Sequence, residues 1–65
     1  MGVIHRMLVV KRAIYYQVEN VYYLIFPETR MRVIDTVGGR LRVITPHGHD
    51  ILVTVNSEEG WASIE

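Results

Sequence analysis

The chain has 65 residues, a formal net charge of +0 and a hydrophobic fraction of 49%. That composition is ordinary for a folded domain and excludes a disordered chain, and no stretch reaches the roughly 18 unbroken apolar residues of a membrane-spanning helix. Cysteine is absent, which excludes disulfides and thiolate metal sites and points to a reducing compartment, so a cytoplasmic protein without a membrane partner is expected.

The length sets one domain over residues 1–65, and a marginal one. A chain of this size buries only about 60% of the surface its unfolded state exposes, so further burial has to come from partners, and a homo-oligomer is expected. Arg6, Lys11 and Arg12 interrupt the apolar core a signal peptide requires, and Arg6 stands where a myristoylation signal carries serine or threonine. The charge is unevenly spread. Residues 1–42 hold all 7 Lys and Arg against Glu19, Glu28 and Asp35, a net +4; residues 43–65 hold Asp50, Glu58, Glu59 and Glu65 with no Lys or Arg, a net −4. Either the fold mixes the two ends in space, or the molecule is bipolar and binds an anionic partner or packs basic face to acidic face with copies of itself.

Residues 3–10 are rich in β-branched and long aliphatic side chains and predict a strand. Residues 12–18 and 21–26 flank Glu19-Asn20, where asparagine's tolerance of positive φ predicts a tight hairpin turn. One amphipathic helix over residues 7–25 is the competing reading, because Met7, Val10, Ile14, Val18, Val21 and Ile25 share a sector at the helical period. The load of β-branched residues and tyrosine favours the strands. Pro27-Glu28-Thr29 turns the chain into a second hairpin.

That hairpin, strands 30–36 and 40–45, carries the clearest alternation in the chain. A two-residue loop at Gly38-Gly39 pairs Val37 with Arg40 and Ile34 with Val43, scattering arginines and aliphatics over both faces. A three-residue loop, Val37-Gly38-Gly39, pairs Thr36 with Arg40, Asp35 with Leu41 and Val33 with Val43. It collects Met31, Val33, Leu41 and Val43 on one face and Arg30, Arg32, Arg40 and Arg42 on the other, with Ile34 and Ile44 among them. Since the buried face sets register, the three-residue loop is expected, with Gly39 at positive φ and Asp35 at the rim of the apolar face. Pro46-His47-Gly48 then breaks the chain, residues 50–55 alternate as a strand, residues 56–60 turn, and residues 61–64 form a short closing strand. About six short strands with turn signals every 8–12 residues predict an all-β fold, a small barrel or compact β-sandwich.

The run from Asp50 to Ala62, D-I-L-V-T-V-N-S-E-E-G-W-A, resembles the middle of an SH3 domain, where an acidic residue precedes an aliphatic strand, an acidic turn follows, and a glycine-tryptophan pair opens the next strand. The resemblance covers about a fifth of the chain. It implies an SH3-like barrel, with Trp61 matching the tryptophan that lines the family's proline-peptide groove and Glu58 and Glu59 the acidic loop beside it. The family's alanine-leucine-tyrosine-aspartate-tyrosine motif has no counterpart in the N-terminal part, and Ala62 stands where a second tryptophan is expected, so only the topology is carried over.

Three groups of residues are candidates for chemistry. Arg30, Arg32, Arg40 and Arg42 at cross-strand spacing suit phosphate or carboxylate, and Lys11, Arg12 and Arg6 extend the patch. Nucleic acid, the acidic end of a neighbouring subunit, and plain solvation with the arginine stems covering Ile34 and Ile44 are the three readings of that face. Tyr15-Tyr16 and Tyr22-Tyr23 each place one ring inside and one outside their strands. The outward rings, with Trp61, are an aromatic contact surface for another chain or for bases; cross-strand stabilisation is the structural alternative. His47, His49 and Asp50, with His5 from the far end, are the only group with metal-ligand chemistry, and surface turn histidines are commoner than ligands. No cofactor and no nucleophile-base constellation is indicated. The expectation is a non-enzymatic binding or assembly module with a protein partner, ahead of a nucleic-acid-binding ribbon and, more distantly, a small metal-binding or enzymatic barrel.

Overall fold

A computed structural model describes residues 6–56 and 58–65. Among the described residues the chain forms seven strands and no helix: β1 (Arg6–Val10), β2 (Ile14–Val18), β3 (Val21–Ile25), β4 (Arg30–Val37), β5 (Arg40–Ile44), β6 (Asp50–Val53) and β7 (Ala62–Ile64). The all-β expectation holds, and the helical reading of residues 7–25 gives way to the end of β1 and the β2–β3 hairpin. Tyrosines and β-branched residues dominate that hairpin, and their side chains lose χ1 freedom against a helical turn but fit a pleated surface.

Five strands form one sheet in the order β6-β5-β4-β1-β7, and among the described residues β2 and β3 pair only with each other. Every strand pair is antiparallel. The first and last strands of the large sheet are therefore neighbours, β4, β5 and β6 follow as a meander, and the β2–β3 hairpin is an excursion between β1 and β4. Among the described residues no ladder joins β6 to β7 or either to the hairpin, so of the small barrel or compact β-sandwich expected from the strand pattern the structure shows the all-β part, as an unclosed five-stranded sheet with a two-stranded arm.

The β4–β5 hairpin corrects the expected register. Val37 pairs with Arg40 across a two-residue Gly38-Gly39 loop, Thr36 with Leu41 and Asp35 with Arg42; a bulge then shifts the ladder so that Val33 still meets Val43. Both glycines have positive φ, 56° and 80°, which is what a two-residue turn between twisted strands demands of its central residues. Ile34 is the extra residue. The bulge reconciles two demands that sequence reasoning set against each other, a Gly-Gly turn and a Val33–Val43 core pair. It also moves Asp35 from the apolar rim, where the three-residue loop put it, to a position opposite Arg42. At the other hairpin the left-handed residue is Glu19, with φ 58°, rather than Asn20.

The core sits on one face of the large sheet. Leu8, Val10, Met31, Val43 and Ala62 are buried there with Ile25 of the hairpin and Trp61, and Ile14, Tyr16, Val33, Leu41, Ile51, Val53 and Val55 pack around them. Each large aliphatic so buried contributes about 1.5–3 kcal/mol. β1, the strand between β4 and β7, reads as a continuous apolar run because it is covered on both sides. Val9 points away from Leu8 and Val10 yet is only 2% exposed, flanked by its cross-strand partners Arg30 and Ser63.

Candidate protein-binding groove and flanking surfaces

A groove of about 490 Å³ runs between the β2–β3 hairpin and β6. One wall is β2 with Arg12 and Ile14 to Gln17, the other is Ile51 to Thr54, and Trp61 and Glu59 close it. Trp61 is 7% exposed and its indole N–H donates to the Thr54 carbonyl at 3.1 Å. It is thus mainly a core anchor with one edge in the groove. Tyr15, at 71% exposure, stands at the rim.

The hairpin is held at its distance by a polar and aromatic cluster. Tyr16 and Tyr23 are cross-strand partners whose rings stack at 5.3 Å, and His47 and His49, from the β5–β6 connection, lie against them at 4.5 to 6.2 Å between ring centres. The Tyr16 hydroxyl bonds Thr45 Oγ1 at 2.7 Å and His49 Nδ1 at 2.8 Å. Thr45 is buried, and its Oγ1 also accepts the His49 backbone N–H at 3.1 Å. Thr45 Oγ1, the Tyr16 hydroxyl and His49 Nδ1 thus form one continuous hydrogen-bonded chain between the β5–β6 connection and the hairpin. His47 Nε2 meets the Leu24 carbonyl at 3.2 Å, a second tie to the hairpin.

The tyrosine pairs divide as strand geometry requires. Tyr16 and Tyr23 face inward, while Tyr15 and Tyr22 face outward, Tyr22 at 69% exposure. Phe26, just beyond β3, is 64% exposed, so three aromatic rings stand in solvent on one arm of the molecule.

Arg30, Arg32, Arg40 and Arg42 are all exposed, on the face of the large sheet away from the core. The acidic end of the chain folds back onto two of them. Arg42 Nε lies 2.8 and 2.9 Å from the Asp50 carboxylate oxygens, and Nη2 completes a bidentate pair. Arg30 Nη2 is 3.5 Å from Glu65 Oε1. The hydrogen bond from Arg42, then its charge, lowers the Asp50 pKa below its ordinary value, and the same bond and charge raise that of Arg42. Asp35 opposite Arg42 adds a further acid. Among the described residues Arg32 and Arg40 take part in no ion pair. Two residues expected to extend the patch do not: Arg12 lines the groove, and Arg6 pairs with Val33 on the alternation that carries Leu8 and Val10.

The histidine-aspartate group is not gathered as a metal site among the described residues. Asp50 is turned to Arg42 and the two histidines to the tyrosines; His5 lies outside the described residues. The groove itself was missed in the sequence because Tyr15, Leu52 and Glu59 converge only through the hairpin's excursion, which leaves no periodic trace. The alternation of β6 was its one local signal. No family model matches the chain, and neither a curated protein nor a solved structure matches it.

Proposed function

We propose that this chain is a non-enzymatic protein-interaction and assembly module on an SH3-like open barrel, and that it associates as a homo-oligomer. The observation that carries the reading is the aromatic arm: Tyr15 at the rim of the groove, Tyr22 on β3 and Phe26 just after it stand largely exposed in a small domain. Tyrosine and phenylalanine are enriched at the buried centres of interfaces, where each brings large contact area at low entropic cost. The barrel assignment is supported by a sheet whose first and last strands in sequence, β1 and β7, are neighbours, with a three-strand meander continuing from β1. Analytical ultracentrifugation of Tyr22→Ser/Phe26→Ser tests assembly. The double variant sediments with a lower mass than the parent while keeping its circular dichroism. An unchanged mass contradicts the reading.

The second reading, a nucleic-acid-binding ribbon, has one observation in its favour: Arg32 and Arg40 are exposed and take part in no ion pair among the described residues. The intramolecular partners of Arg30 and Arg42 and the presence of Asp35 among them weaken the field a polyanion meets. Binding to a duplex oligonucleotide that falls steeply with salt, and is lost in Arg32→Glu/Arg42→Glu, supports it over the first.

A further inference from the structure

We propose that the groove is a strand-insertion site: an extended segment of a partner protein enters it and pairs its backbone with the free edge of β6 at Leu52. This rests on the protein-interaction reading and names the partner's chemistry and its mode of attachment.

The phase of the β5–β6 ladder places the free groups. Thr45 N–H donates to the His49 carbonyl at 2.8 Å, and the register continues through Ile44↔Asp50, Val43↔Ile51, Arg42↔Leu52 and Leu41↔Val53. In an antiparallel pair hydrogen-bonded positions alternate, so Ile51 and Val53 turn their backbone groups to β5 while Leu52 and Thr54 turn theirs outward. β6 ends the sheet, and among the described residues nothing continues the ladder beyond it. The groove wall is the run Ile51 to Thr54, side chains of both parities, which is how a strand looks from its edge. The Trp61 indole already bonds the Thr54 carbonyl from that side, so the edge faces a donor inside the groove. The Leu52 N–H and carbonyl are the next such pair along it.

The opposite wall is also a strand edge. Among the described residues β2 pairs only with β3, and Val18↔Val21 closes their two-residue turn. The same alternation turns the backbone of Tyr15 and Gln17 away from β3. Two strand edges on facing walls suit a single extended chain, whose backbone has donors and acceptors on both sides. The occupant is therefore a flexible segment. Alternate side chains of that segment reach an apolar floor of Ile14, Ile51, Val53 and Trp61. Arg12 and Glu59, both exposed and without an ion pair among the described residues, add opposite charges to the lining. They favour a segment with alternate apolar residues that carries an acidic side chain for Arg12 and a basic one for Glu59. Addition of a strand to an open edge, with backbone bonds for affinity and alternate pockets for specificity, is a general mode of peptide recognition.

The test uses the full chain, isotope-labelled, and capped heptapeptides selected on it from a random displayed library. The expected result is a set of binders with alternating apolar residues that slow exchange of the Leu52 amide by about tenfold or more, the equivalent of one hydrogen bond. N-methylation of alternate peptide nitrogens weakens binding by a similar factor. Leu52→Pro weakens it too, since proline there removes an outward N–H and leaves the β5 ladder bonds in place. If that variant misfolds, the N-methyl series on the parent chain decides. Four results overturn the proposal. They are no selected binder, binders that perturb Tyr22 and Phe26 but not Leu52, proline-rich binders indifferent to N-methylation, and a Leu52 amide protected by protein concentration alone, which would put a second copy in the groove. The mass of the peptide-free protein by light scattering reads the assembly reading separately. An oligomer with no strand-like binder loses this inference only, and a monomer with no binder loses both.

Discussion

The Tyr16 hydroxyl meets Nδ1 of His49 at 2.8 Å across 33 positions of sequence, and this bond ties the hairpin arm to the large sheet. Removing the hydroxyl leaves His49 Nδ1 without its partner and the buried Thr45 hydroxyl with the His49 backbone N–H alone. Tyr16→Phe keeps the ring stack on Tyr23 and lowers stability by about 1–2 kcal/mol, the cost of unsatisfied buried polar atoms. Hydrogen exchange separates the two units: amides of β2 and β3 speed up in the variant before those of β1 and β4 do. Equal acceleration everywhere contradicts the arm's semi-independence.

The Arg42–Asp50 pair makes a small, signed contribution to acid stability. Asp50 has a folded pKa below its unfolded one, so its stabilisation is complete above the unfolded value and is lost as pH falls through the folded value. Both side chains are exposed, and the effect is modest and screened by salt. Asp50→Asn flattens the decline in thermal midpoint over the acidic carboxylate range and leaves the decline at neutral to alkaline pH unchanged. A parent and variant with parallel acid profiles contradict it.

The Gly38-Gly39 turn isolates a backbone cost. A Cβ at either glycine meets nothing within 4 Å, so Gly38→Ala and Gly39→Ala measure the left-handed conformation alone, about 1–2 kcal/mol each. Gly38→Asn loses less, because asparagine visits that region readily. Urea denaturation with an unchanged m-value distinguishes this cost from a change in the ladder.

Glu19 and Glu28 hold positive φ without being glycine, at 58° and 71°. Relief of that strain predicts that Glu19→Asn raises stability by about 0.5–1 kcal/mol. A loss of stability shows that the Glu19 side chain holds the turn.

Strand positions were legible because the local signals agree: alternation in β4, β5 and β6, turn chemistry at Pro27, Gly38-Gly39 and Pro46-His47-Gly48. The division of Tyr15 and Tyr22 from Tyr16 and Tyr23 also followed from period-two geometry. The β4–β5 register was not legible, because one unpaired residue, Ile34, changes the phase of half a strand and bulges carry no sequence marker of their own. The arginine face was legible as a face but not as a field. Asp50 and Glu65 reach Arg42 and Arg30 only after β6 and β7 take their places in the sheet. The groove needed the same information, since it lies between two elements that share no ladder.

Light scattering behind size exclusion on untagged protein, at low and high salt with absorbance at 260 and 280 nm, tests the interaction reading most directly. A salt-stable oligomer free of nucleic acid is the result expected, with its mass held by the aromatic arm. A monomer at both salt concentrations contradicts it, and a monomer that carries nucleic acid at low salt and sheds it at high salt gives the function to Arg32 and Arg40 instead.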